Sequence, residues 1–100
     1  MKVVWSDDAT WALVALEAAL SQRHSPDQAA SIVEELVRRV ERLEIHPQLG
    51  RVVPEYGQWQ LRELVDRWNR VLYRLRSDVI EVVTIVPTRI PLDERDAGDE

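Results

Sequence analysis

The residues with chemistry to offer are arginines. Between positions 51 and 92 the chain carries seven bases, all of them arginine, against five acids. Arg70, Arg74 and Arg76 are separated by even steps, so an extended strand would present them on one side. A guanidinium is a planar fork that stays charged and takes carboxylates or phosphates in two-point hydrogen bonds, which suits gripping an anionic partner rather than making or breaking covalent bonds. The rest of the reactive inventory is sparse. There is no cysteine, hence no thiolate nucleophile, no disulfide and no zinc-thiolate set. His24 and His46 stand apart with no third ligand in view, so neither a metal site nor a cofactor site is expected. No residue stands out as a general acid or base, so no catalytic residue is expected.

The elements that must position these arginines follow from pattern. Lys2 to Trp5 is β-prone, and Ser6 or Asp7 can cap a helix over about residues 8 to 23, with Asp7 and Asp8 at its positive end. Ala9, Ala12, Leu13, Leu16, Ala19 and Leu20 form its apolar stripe, with Trp11 partly off it. Ser25-Pro26-Asp27-Gln28 signals a second start: serine at the cap, proline at the first helical position and glutamine for a capping box. Ala29, Val33, Leu36, Val37, Val40 and Leu43 keep helical spacing from there, and the short link makes the two helices antiparallel neighbours. Pro47, Gly50, Pro54 and Gly57 then end helical structure.

Strands are expected over residues 58 to 67, 70 to 76 and 79 to 86, a β-meander linked near Arg67-Trp68-Asn69 and at Ser77-Asp78. The predicted class is α+β, β-α-α-β-β-β, with the helical hairpin on one face of an antiparallel sheet. With Trp59, Leu61, Val71, Tyr73 and Leu75 turned to the helices, the period of two sends Arg62, Leu64, Arg70, Leu72, Arg74 and Arg76 to the uncovered side. Leucine mixed with arginine there suits docking a second polypeptide. Cross-strand pairing of the arginines with Glu63 or Glu81 is the alternative, and Arg51 is expected to anchor its loop through Glu55.

Length and charge bound the rest. A chain of 100 residues builds one core, and no apolar run reaches membrane-spanning length. The N-terminus meets two acids before a signal-peptide core could form, so a cytoplasmic location is expected. Five acids and one base fall in residues 93–100, leaving 13 acids against 12 bases in the rest. Residues 1–92 are therefore read as the domain and 93–100 as an acidic, disordered tail.

Leu43-Glu44-Ile45-His46-Pro47-Gln48-Leu49-Gly50-Arg51-Val52-Val53-Pro54-Glu55, then Leu61-Arg62-Glu63-Leu64 and Asn69-Arg70-Val71-Leu72-Tyr73-Arg74-Leu75, resembles the RelE/ParE toxin superfamily of bacterial type II toxin-antitoxin systems. The resemblance spans about residues 2 to 92 and rests on the order of the motifs: helical hairpin, Gly-Arg-x-x-Pro-Glu, Arg-Glu-Leu, Arg-x-x-Tyr-Arg. It implies a toxin held inactive by a small antitoxin whose C-terminal segment covers the sheet and helices, with higher-order complexes as a further expectation. Arg62, Leu64, Arg70, Leu72, Arg74 and Arg89 are the candidate antitoxin- or target-binding residues.

Members of this superfamily either cut messenger RNA on the ribosome or poison DNA gyrase. Only Arg62, Arg70 and Arg89 match arginines of the RNA-cutting set. Gln58 and Gln60 stand where that set is commonly basic, and Val86 to Leu92 lacks histidine and tyrosine. A pI near 5.0 is also far from the basic character of nucleic-acid-binding domains, so direct sequence-specific nucleic-acid binding is not expected. The ParE-like, gyrase-directed branch fits best. A RelE-like ribonuclease and a non-toxic interaction module of the same fold remain the alternatives.

Overall fold

In a computed structural model, residues 1–88, 92 and 94–98 are described, and the side chains of residues 94 and 95 are not among the described groups. The chain runs β1 (Lys2–Trp5), α1 (Asp7–Leu20), α2 (Pro26–Glu41), β2 (Arg51–Val52), β3 (Leu61–Val65), β4 (Asn69–Leu75) and β5 (Val79–Pro87). Single 3₁₀ turns follow α2 at Arg42–Glu44 and close the described chain at Glu94–Ala97.

Both helices start where the sequence places them. The Ser6 hydroxyl accepts from the Ala9 N–H and donates to the Val83 carbonyl, at 3.0 and 2.8 Å, so the cap of α1 is tied to β5. Ser25 and Gln28 exchange the two bonds of a capping box, each 3.1 Å, with Pro26 at the first position. Ala9, Ala12, Leu13 and Leu16 of α1 pack with Leu36, Val40 and Leu43 against the sheet, while α1 ends three residues early and leaves Ala19 exposed.

The sheet order is β1-β5-β4-β3-β2. The meander is antiparallel as expected, but β1 lies parallel to β5, which makes the five-stranded sheet mixed. The two-residue β2 is too short to have declared itself by alternation. The sheet also has two cores rather than one. Toward the helices lie Leu64, Val71, Tyr73, Ile80, Val82 and Ile85; on the reverse, Val53, Leu61, Leu72, Val83 and Ala97 form a second cluster joined by Tyr56, Val86 and Leu92.

This arrangement corrects the assignment of faces. Pairing places Arg62 opposite Tyr73, Leu64 opposite Val71 and Leu61 opposite Arg74, and directly opposed residues share a face. Val71, Tyr73 and Leu75 do face the helices, but β3 has the opposite parity from the expected one: Arg62 and Leu64 turn inward and Leu61 outward. Alternation could not settle β3 because Leu61, Arg62, Glu63 and Leu64 are all buried. Trp59, expected in the core, precedes the strand and is exposed. The reverse face is also not open, since the loop holding Val53 and Tyr56 and the turn Glu94–Ala97 lie over it. Within the stretch expected to be a tail, Glu94–Ala97 form a 3₁₀ turn in which Ala97 is buried.

Candidate partner-binding face

The reverse side of the sheet is organised around Glu63, 1% exposed, at the middle of β3. Its Oε2 accepts from Arg51 Nε at 2.7 Å and its Oε1 from Arg70 Nε at 2.5 Å. Arg70 continues outward, donating from Nη1 and Nη2 to the two oxygens of Glu55 at 2.7 and 2.9 Å. The expected Arg51–Glu55 anchor is thus replaced by a chain of four charges, Arg51, Glu63, Arg70 and Glu55. The Arg70 hydrogen bond first, then a backbone hydrogen bond and the nearby guanidinium charges, push the Glu55 carboxyl down from 4.5 to about 2 against the opposing effect of desolvation. The same bond, aided by Glu63, raises the already high Arg70 value against the opposing effect of burial.

Arg62 serves the other side. It donates to the Trp59 and Gly50 carbonyls, both at 3.1 Å, and the Trp59 ring lies 4.9 Å from its guanidinium carbon. Gly50 is fixed by the same corner: its N–H donates to the Tyr73 hydroxyl at 2.8 Å, and that hydroxyl donates to the Pro47 carbonyl at 2.9 Å. A Cβ at position 50 would lie 2.5 Å from the Glu63 carbonyl oxygen and 2.7 Å from the Tyr73 hydroxyl, so the glycine is required by close approach. Burial raises the Tyr73 pKa above its usual 10.0, keeping the phenol protonated as the donor this corner needs.

Arg74 is different from both. It is 2% exposed, yet its bonds go to neutral acceptors: Nη1 to Gln58 Oε1 at 3.3 Å and Nη2 to the Ala97 carbonyl at 3.0 Å. Its Nε is buried without a hydrogen-bond partner.

Of the residues singled out in the sequence, Arg70, Leu72 and Arg74 lie together on the reverse face. Arg62 and Leu64 do not, because of the reversed parity of β3, and Arg89 lies outside the described residues. Cross-strand pairing with Glu63, the alternative reading, is what Arg70 makes, and Arg76 pairs with Glu81 at 2.8 Å. Glu55, Gln58, Glu63 and Ala97 complete the site and were not singled out as binding residues. The Gly-Arg-x-x-Pro-Glu and Arg-Glu-Leu spacing holds the acids, but nothing local in sequence shows that Glu63 is buried.

The chemistry available here is charge pairing and hydrogen bonding. Glu55 is held ionised and Tyr73 is held protonated, so neither is tuned for proton transfer near neutrality. Among the described residues no group of three or more His, Cys, Asp or Glu is placed to hold a metal, and no helix is long and apolar enough to cross a membrane.

The sequence model for the ParE toxin of the type II toxin-antitoxin system parDE matches residues 3–91. Among solved structures, the chain is similar to one from a chromosomal ParDE toxin-antitoxin system of P. aeruginosa. The TM-score is 0.74 at 22% identity, over 87% of this chain and 95% of that one, a likeness of fold. A comparison with curated proteins finds no match.

Proposed function

Because the chain belongs to the ParE toxin family of type II toxin-antitoxin systems, we propose that it acts by inhibiting DNA gyrase and is neutralised by a cognate antitoxin in the cytoplasm. The observation that carries the choice of target is that Arg62 and Arg70 are already engaged within the fold. Arg70 is saturated by Glu55 and Glu63, and Arg62 by two backbone carbonyls and the Trp59 ring. Guanidiniums so engaged are poor phosphate ligands, whereas occupying RNA needs several free cationic contacts. A nearly neutral domain body points the same way.

The antitoxin is proposed to cover the reverse face near Leu72, Arg70 and Arg74, within a domain of residues 1–92. Its partner system can form higher-order complexes.

The test has two parts. Expressed alone, the protein should slow bacterial growth, and co-expression of the short reading frame beside its gene should restore it. Purified protein should block gyrase supercoiling and leave ribosome-bound message intact. Cleaved message with active gyrase would replace this reading with that of a ribonuclease, and unimpaired growth would replace it with that of an inert binding module.

A further inference from the structure

A buried guanidinium is normally matched by an anion, because transfer of a charge out of water is costly unless it is paired. Arg70 obeys this rule through Glu55 and Glu63, the more exposed Arg51 and Arg76 are paired with Glu63 and Glu81, and Arg62 meets two carbonyls and the face of the Trp59 ring instead of an anion. Arg74 does not obey it either: at 2% exposure it has the Gln58 amide oxygen, the Ala97 carbonyl and an unpartnered Nε. On β3 Leu61 lies directly opposite it, with Leu72 and Val83 in the same cluster; Glu81 lies directly opposite on β5, but its carboxylate is taken by Arg76.

The cover over Arg74 is a single 3₁₀ turn, Glu94–Ala97, whose Ala97 methyl rests in that cluster. Gly98 ends it at a φ of 70°, where a Cβ would stand 2.8 Å from Val83 Cγ1. The turn is therefore closed by a glycine that no other residue replaces without strain, and it offers the cation a neutral oxygen where a carboxylate would bind more strongly.

We propose that Arg74 is a carboxylate subsite for an acidic side chain of a partner polypeptide, and that the Glu94–Ala97 turn is a displaceable cover which that segment replaces. The matching ligand is an aspartate or glutamate flanked by small or medium apolar residues: the acid meets the Nε and Nη edge of Arg74, and the neighbours occupy the floor of Leu61, Leu72 and Val83. The proposal rests on the reading that a partner covers this face, and it adds the residue that anchors that partner and the segment that competes with it.

The probe is a blocked pentapeptide, Ala-Leu-Glu-Val-Ala, with its glutamine counterpart as control, titrated into the full-length chain and followed by backbone amide shifts at Leu72, Val83 and Gly98. Gly98→Ala, which unseats the turn without touching Arg74, should tighten glutamate-peptide binding by about fivefold or more, since a competing conformation is removed. Arg74→Gln and the glutamine peptide should each weaken it by about tenfold, the loss of one charge-assisted bidentate contact. The subsite is overturned if both peptides bind the Gly98→Ala chain alike, if neither binds it, or if Arg74→Gln binds as the parent does. The cover is overturned if Gly98→Ala leaves affinity unchanged or lowers it. Since Gly98→Ala and the control peptide keep Arg74 in place, the test survives an Arg74→Gln chain that fails to fold. The titration needs neither gyrase nor growing cells, so its failure removes the subsite and leaves the toxin reading standing, while a null growth assay does the reverse.

Discussion

Glu63 holds the electrostatics of the outer sheet layer together, because two arginines lean on one carboxylate that water hardly reaches. Removing one partner of such a group leaves uncompensated charge behind, so Glu63→Ala should cost about 3 kcal/mol or more of unfolding free energy in urea titration. Arg38→Ala, which breaks exposed contacts to Glu34 and Glu35 on α2, should cost about 0.5 kcal/mol or less. Equal effects would refute this ranking. Glu55 adds a pH dependence of definite sign. Its folded pKa lies below the unfolded value, so the stability from its bond to Arg70 is present above about 4.5 and is lost as pH falls toward about 2. Thermal midpoints measured across that window should drop in the parent and drop less in Glu55→Gln. An identical fall in both would assign the acid sensitivity to other carboxylates.

At the level of elements, what could be read in advance depended on whether a local signal had one meaning. Ser25-Pro26-Asp27-Gln28 can hardly be anything but a helix start, and its capping box forms as read. Ser25→Ala should therefore cost about 1 kcal/mol in the same urea assay, and a change near zero would mean the box contributes nothing. For β3 the signal was ambiguous. Leu61 and Leu64 are buried on opposite sides of the sheet, so the strand has no solvent face for alternation to reveal. Gln58 to Gln60 read as the beginning of this strand, yet they belong to the connection, which bends through Gly57 at a φ of 63° and brings Tyr56 back over the sheet. Gly50 marks where this loop meets the meander. Gly50→Ala must push a methyl into the Glu63 carbonyl and the Tyr73 ring, so it should destabilise by about 2–3 kcal/mol, read as a lower urea midpoint. A neutral result would show that the corner can yield.

Across the whole molecule the layer order was legible, because two amphipathic helices and a meander have few ways to bury their apolar sides together. The second core was not, since it depends on a loop and a C-terminal turn whose sequences are polar. Trp11, read as partly off the stripe of α1, is 72% exposed, and Val14, also exposed, accompanies it one turn on. The parallel seat of β1 beside β5 has a consequence for synthesis. Among the described residues the first strand finds its one sheet neighbour nearly eighty positions downstream, in register Lys2↔Val79 to Trp5↔Val82, and such distant pairings form late. Ribosome-tethered chains halted at residue 75 should thus be digested readily by added protease, whereas chains carrying all 100 residues beyond a flexible tether should resist. Early resistance would contradict this order. A nascent polypeptide built this way gains its final shape only once β5 has been made and has left the ribosome, so the candidate partner-binding face is complete only after that point.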